Sequence, residues 1–430
     1  MNLSALPRKY LFIGAVALAA IAAGTFLILG RRTDTNLPDV ALTVWGVEAK
    51  EAFAAVITGY ESLRPNAEVD YVEIPEARYE RELVNALAAG KGPDVFMLQN
   101  RALPAEQDKL VPAHPTQLDL ARFRELYPTV AEVDFTAEGQ VFAVPLSVDT
   151  LILFYNRDLF DRAAVVGPPK TWQEFQSVVP ALKSVTPAGQ VVQAAAAIGG
   201  TLRSVAAAVD ILNLLMMQNG VPMRDGGSGR IDFAPRGAGL SAFDFYLQFA
   251  NPISPFYTWN DNQGDALQSF AAGKTAMLFA YGRDAAEIRA RAPFLRIGVA
   301  EVPQASTDGA KLAYPSYWGL AVSKQSANAG WGWDFAVYAA SAPQAADAYR
   351  AVAGGAPALR TLIAAELGDA ERGVFARQAL TARSWSQPDR HEVQRIFNDA
   401  ISSVLSGRAA PRDALERAEA EAKQLTARPL

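Results

Sequence analysis

Between residues 41 and 98 the chain alternates strand and helix patterns with short links, and this alternation constrains its fold more than any other feature. Residues 41–45 (ALTVW) form an apolar strand pattern, and Phe53, Val56, Ile57, Tyr60 and Leu63 then fall on one helical face. Arg64-Pro65-Asn66 breaks that helix, and residues 69–74 (VDYVEI) alternate as a strand does. Tyr79, Leu83 and Leu87 make a second helical stripe, ended by Gly90-Lys91-Gly92-Pro93, and residues 95–98 (VFML) are a fully apolar strand. Three strands joined by two helices with short links predict an α/β fold, a parallel sheet with helices on its faces. Ligands of such sheets sit beyond the carboxyl ends of the strands. The residues at those ends are Trp45-Gly46, Pro75-Glu76 and Gln99-Asn100-Arg101.

The pattern continues down the chain. Residues 151–155 make a strong strand, followed by the turn Asn156-Arg157-Asp158. Thr171 is placed to cap a helix, and Glu174 three residues on completes a capping box. Helices are expected over 202–219, 237–250, 331–341 and 411–425, and strands within 294–303 and 317–324. Gly273-Lys274-Thr275 has the ending of a phosphate-binding loop but not its context. Such a loop needs a glycine five residues before the second one, where this chain has Gln268, and it runs from strand to helix. Here a helix precedes the triplet and the apolar run Ala276-Met277-Leu278-Phe279-Ala280 follows it. Gly273 therefore reads as a helix-ending glycine at a helix-to-strand corner.

At 430 residues with 50% hydrophobic residues, the chain can build two cores. Its net charge of −5 argues against a nucleic-acid partner. It has no cysteine, which removes disulfides, thiolate metal sites, cysteine nucleophiles and a lipid-modified N-terminal cysteine. The two histidines, His114 and His391, have no second histidine at metal spacing, so no metal or cofactor is expected. Residues 10–29 are uncharged and apolar, with Arg8-Lys9 before them and Arg31-Arg32 after. About 20 such residues span a bilayer as a helix. A cleaved signal peptide is the rival reading, with Ala22-Ala23-Gly24 as a cut site, but the apolar run continues past it. The expected layout is a tail over 1–9, a membrane anchor over 10–30 and a polar linker over 31–40.

GKGPDVFML (90–98), VPLSVDTLILFYNRDLF (144–160), PPKTWQEF (168–175), SFAAGKTAMLFAYG (269–282), GVAEVP (298–303), YWGLAVSK (317–324) and DALERAEAEAK (413–423) span most of the body in this order. Together they resemble the extracytoplasmic solute-binding proteins of ABC importers, in the sugar-binding branch that includes maltose-binding protein. The resemblance implies a two-lobed periplasmic-binding-protein-like fold of type II, hinged, with one lobe over 41–147 and 297–340 and the other over 148–296 and 341–430. It implies a monomeric receptor that captures a solute between its lobes and passes it to a permease, with no bond made or broken. It also places the body on the extracytoplasmic face of the cytoplasmic membrane.

The resemblance and the strand ends together point to ligand-contacting residues. Asp149, at the crossing between lobes, would accept sugar hydroxyls. Trp45 and Gly46 end the first strand, and Gln99 and Asn100 the third. Tyr281 and Arg283 follow the strand after the Gly-Lys-Thr corner. An arginine there departs from maltose-binding protein, which carries tryptophan nearby, and admits an anionic or strongly polar solute. Tyr317, Trp318 and Trp259 are stacking candidates, and Gly354-Gly355 offers backbone N–H groups at the cleft. A polyamine or anionic-solute receptor and a sensor module are alternatives to the carbohydrate receptor. A glycosidase would need a paired carboxylate for Asp149, and nothing spaces Glu76 or Asp261 for that role.

Overall fold

The computed structural model describes residues 39–225, 229–234 and 237–427. The anchor expected over 10–30, with the tail before it and nearly all of the linker after it, lies outside the described residues. Among the described residues no helix is long and apolar enough to cross a membrane.

Fourteen strands are described. They are β1 (Val40–Gly46), β2 (Ala67–Glu73), β3 (Val95–Gln99), β4 (Thr136–Ala137), β5 (Gln140–Val141), β6 (Ala143–Pro145), β7 (Leu151–Asn156), β8 (Ser184–Val185), β9 (Val191–Ala197), β10 (Met223–Arg224), β11 (Ile231–Asp232), β12 (Thr275–Tyr281), β13 (Ile297–Ala300) and β14 (Trp318–Val322). Ten of them form two five-stranded sheets, ordered β2-β1-β3-β14-β6 and β13-β7-β12-β9-β8. The first sheet begins as expected, with β1 parallel to both β2 and β3. β14 then joins it antiparallel between β3 and β6, by a return from far down the chain that local periodicity does not announce. In the second sheet β12 lies between an antiparallel β7 and a parallel β9. All seven residues of β12 are buried, which explains why its sequence is apolar without alternation.

The helices cover these sheets with the faces the sequence marks. Lys50–Leu63 buries Ala52, Phe53, Val56 and Tyr60, while Ile57 is half-buried and Leu63 turns to solvent. Glu76–Ala88 buries Tyr79, Leu83 and Leu87. The helix Ala208–Gln218 is buried all round through Met216, so its one acid, Asp210, is drawn inside with it. Gly273 adopts φ +69°, a left-handed turn that links the helix Ala266–Ala271 to β12. The cap at Thr171 forms, its Oγ1 accepting from Glu174 N at 3.1 Å. The reciprocal bond lands one residue earlier than a capping box places it, with Glu174 Oε2 accepting from Lys170 N at 2.7 Å.

The chain crosses between the sheets along 146–150 and 301–317 and crosses again at 354–358, beside the first crossing. The three segments are tied edge to edge. Ser316 N donates to Asp149 O at 3.0 Å, Leu151 N to Tyr314 O at 2.9 Å, and Val148 N to Ala356 O at 3.1 Å. Two expected boundaries shift. β13 pairs with β7 in the second sheet, so the return to the first sheet follows Ala300 and does not precede residue 297. The helix Pro343–Ala353 packs against Lys50–Leu63 beside the first sheet, so residues 341–353 belong there. Both segments border a crossing, where periodicity gives the element type but not the sheet it joins.

Candidate functional site

The end of β12 builds the centre of the site. Asp149, in the first crossing segment, is 3% exposed and receives the backbone turn that follows β12. Its carboxylate accepts from Gly282 N at 2.8 Å and Arg283 N at 3.0 Å, and the Arg283 guanidinium stands 3.6 Å away. Burial pushes the Asp149 pKa up to about 6, against the opposing pull of Arg283 and the backbone donors. Gly354 and Gly355 close over this turn at φ +78° and +75°. A Cβ on Gly354 would lie 3.4 Å from Arg283 Cα, and one on Gly355 would lie 3.4 Å from Asp149 Cβ. Thus Asp149, Tyr281, Arg283, Gly354 and Gly355 are brought together from three distant stretches.

Tyr281 and Arg283 also line a cavity of about 820 Å³. The Arg283 guanidinium lies 4.5 Å from the Tyr281 ring centre, and its Nη1 donates to Ser316 O at 2.7 Å. The cavity opens between elements of the two sheets. Glu76, Glu80 and Arg81 come from the helix after β2, and Arg101 follows β3. Asp210, Asp284, Arg390 and His391 come from the other side.

Two charged links cross this space. Arg101 Nη1 donates to Asp210 Oδ1 at 2.9 Å and to the Tyr314 hydroxyl at 3.1 Å. Tyr281 Oη donates to the other oxygen of Asp210 at 2.6 Å. Arg390 Nε donates to Glu80 Oε1 at 2.8 Å, and the His391 ring contacts Glu80 Oε2. Burial raises the Glu80 pKa, but the hydrogen bond from His391 and the Arg390 charge together hold it below the ordinary carboxylate range.

The remaining candidates stand elsewhere. Gln99 and Asn100 are buried in a polar network in which Gln99 Nε2 donates to Asn100 Oδ1 at 2.7 Å and Asn100 Nδ2 to Asp134 Oδ2 at 3.0 Å. Tyr317 Oη donates to the same Asp134 oxygen at 2.6 Å. Burial drives the Asp134 pKa up to about 6 despite hydrogen bonds from Ser384, Tyr317 and Asn100. Trp318 packs edge-on against Tyr79 at 5.6 Å, with Arg390 above it at 5.9 Å. Trp259 is fully buried in the second lobe, where its Nε1 donates to Ser204 Oγ at 3.1 Å. Trp45 is half-buried at the end of β1, and a Cβ on Gly46 would meet the Tyr71 hydroxyl at 2.4 Å. None of these seven lines the large cavity.

Asp210, Glu80 and Arg390 carry no direct signal in the sequence, while Arg101, at the end of the third strand, and His391 are visible there but not among the residues expected to contact ligand. Asp210 carries only an indirect one, as a lone acid inside an apolar helical run. The Glu80 link joins residues 310 and 311 positions apart and leaves no local trace.

The family model for bacterial extracellular solute-binding protein matches residues 46–346. A Brucella abortus (strain 2308) relative, described only as a binding protein, is 24% identical over 298 residues, 67% of this chain and 68% of its own length. The sugar-binding protein MalE of Xanthomonas citri shares the fold with a TM-score of 0.75 at 22% identity, over 90% of this chain and 97% of that one. An ABC substrate-binding protein of Listeria monocytogenes, solved with cycloalternan, shares it with a TM-score of 0.73 at 18% identity, over 91% and 100%.

Proposed function

This chain belongs to the family of bacterial extracellular solute-binding proteins, and we propose that it captures a carbohydrate between its two lobes and delivers it to the permease of an ABC importer. The observation that carries the reading is the cavity of about 820 Å³, polar on both walls and lying between elements of the two sheets. Its size suits a ligand of several hundred cubic ångströms. The fold shared with a sugar-binding MalE and with a cycloalternan-bound receptor supports the solute class. Tyr281 and Arg283 line the cavity as ligand contacts, and Asp149, Gly354 and Gly355 shape the turn that presents them. Trp45, Gly46, Gln99, Asn100, Tyr317, Trp318 and Trp259 act as packing and hinge residues in this arrangement, available to solute only if the lobes move. Closure is a hinge motion about the three crossing segments, with solute shifting the population towards the closed form.

The protein is a monomeric receptor with no catalytic role. Residues 10–30 anchor it in the cytoplasmic membrane, residues 31–40 tether it, and the body works on the extracytoplasmic face. The lobe carrying the first sheet comprises 41–147 and 301–353, and the other lobe comprises 148–300 and 354–427.

A thermal-shift panel on the full chain in detergent tests this, with mono- and oligosaccharides beside amino acids and polyamines. A solute at a hundredfold over its Kd adds about 2.7 kcal/mol of stability. Shifts confined to saccharides, and reduced by Arg283→Ala, are expected. Shifts confined to polyamines or amino acids, or no shift with any saccharide, would overturn the carbohydrate reading.

A further inference from the structure

Arg101 stands where the two lobes meet, at the wall of the large cavity and of two smaller ones beside it. Its side chain is 11% exposed. Both of its hydrogen bonds run through Nη1, to Asp210 and to Tyr314. Its Nε is buried with no hydrogen-bond partner among the described residues. A buried donor without an acceptor is costly, more so on a charged group. The guanidinium therefore leaves its Nε–Nη2 edge, a pair of parallel N–H donors, without an acceptor from the described residues; Nε is closed off with the lobes placed as here, so a solute meets that edge only as the lobes move. That edge matches two oxygens on one carbon or phosphorus and accepts them as a bidentate pair. Two vicinal sugar hydroxyls can also span the fork, but as neutral acceptors, whereas a carboxylate or phosphate makes both hydrogen bonds charge-assisted.

The carboxylates around the cavity do not reverse this preference, because four of the five are already engaged. Asp210 accepts from Arg101 and Tyr281, and Glu80 from Arg390 and His391. Asp265 accepts from Gln268 N at 2.8 Å and Asp284 from Tyr281 N at 2.8 Å. Glu76 stays exposed. On the opposite side of the balance, Arg81 lines the same cavity, exposed and with no hydrogen bond or ion pair among the described residues. The donors left to meet a solute are cationic.

We infer that the solute is an acidic saccharide, one that bears a carboxylate or a phosphate, and that Arg101 is the residue selecting it, an inference that rests on the carbohydrate reading above. Isothermal titration of the full chain in detergent with matched pairs tests it: galacturonate against galactose, trigalacturonate against galactotriose, and glucose 6-phosphate against glucose. The acidic member of at least one pair binds roughly tenfold or more tightly than its neutral partner, the change expected of one charge-assisted hydrogen bond. Which pair shows the preference separates carboxylate from phosphate. Arg101→Gln abolishes the preference. Arg101→Lys, which keeps the charge and loses the fork, removes most of it and covers the case in which Arg101→Gln does not fold. Neutral members that bind as tightly as acidic ones, or a preference unchanged in Arg101→Lys, overturn the inference and leave the carbohydrate receptor standing. Failure of every saccharide, neutral and acidic, removes the carbohydrate reading and the inference with it.

Discussion

Asp149 and Asp134 do their work as buried acceptors. Asp149 holds the backbone N–H groups of Gly282, Arg283 and its own neighbour Thr150, the last at 2.9 Å. Asp149→Ala leaves those donors unmet and is expected to cost roughly 3 kcal/mol of unfolding free energy in urea melts, with solute affinity falling as the Arg283 turn loosens. The two acids also set a pH dependence. Both have folded pKa values raised to about 6 from 3.8. Between these values the folded state holds protons that the unfolded state has released, so their contribution to stability is full below pH 4 and is lost as pH rises to 6. Each group contributes a downward slope of up to about 1.4 kcal/mol per pH unit in that window. Urea melts at pH 4, 5 and 6 are expected to show a shallower fall for Asp134→Asn than for the unmodified chain. Nothing in the sequence separates these aspartates from the solvated ones, because burial is a property of the surroundings and not of the residue.

The Gly354-Gly355 corner decides whether the third crossing segment reaches the site. It ends the helix Pro343–Ala353, and Gly354 sits at φ 78°, ψ −163°, a region closed to residues with a Cβ. Gly354→Ala is expected to cost roughly 1–3 kcal/mol and to weaken solute binding, measured by denaturant midpoint and calorimetry. Gly330, in the first turn of Ala329–Ser341, has an ordinary φ and open space where a Cβ would go. Gly330→Ala is expected to be neutral or to stabilise by up to about 1 kcal/mol. Local signals carried much of this layer. The stripe Tyr79-Leu83-Leu87, the cap at Thr171 and the Gly273 corner all follow from short-range sterics and hydrogen bonding. β13 and the helix Pro343–Ala353 join the lobe opposite to the one expected, because an element's pattern records that one face is buried and not which sheet buries it.

For the body as a whole, the three crossing segments hinge two sheets whose lobes are also linked by Arg101–Asp210, by Glu80 with Arg390 and His391, and by Ser384 with Asp134. In the Glu80 link His391 is exposed and Glu80 is 35% accessible, so the link is partly screened and modest in strength. Glu80→Gln removes the charge on one side while leaving the fold intact. Small-angle scattering of this variant without solute is expected to give a larger radius of gyration than the unmodified chain, and saturating solute is expected to restore it. An unchanged radius would mean that the Glu80 link does not set the closure.

The sequence by itself determined the α/β class, the parallel opening of the first sheet, the non-phosphate role of Gly273-Lys274-Thr275 and the prominence of the turn after β12. Each of these is written within about twenty neighbouring residues, where periodicity, capping and glycine sterics operate. Only the tertiary structure decided that β14 returns between β3 and β6, that Trp259, Gln99 and Asn100 are buried away from the large cavity, and that Arg101 faces Asp210 across it. These contacts join residues up to several hundred positions apart, and they are fixed by how two hinged sheets pack. A one-dimensional pattern holds no term for that geometry.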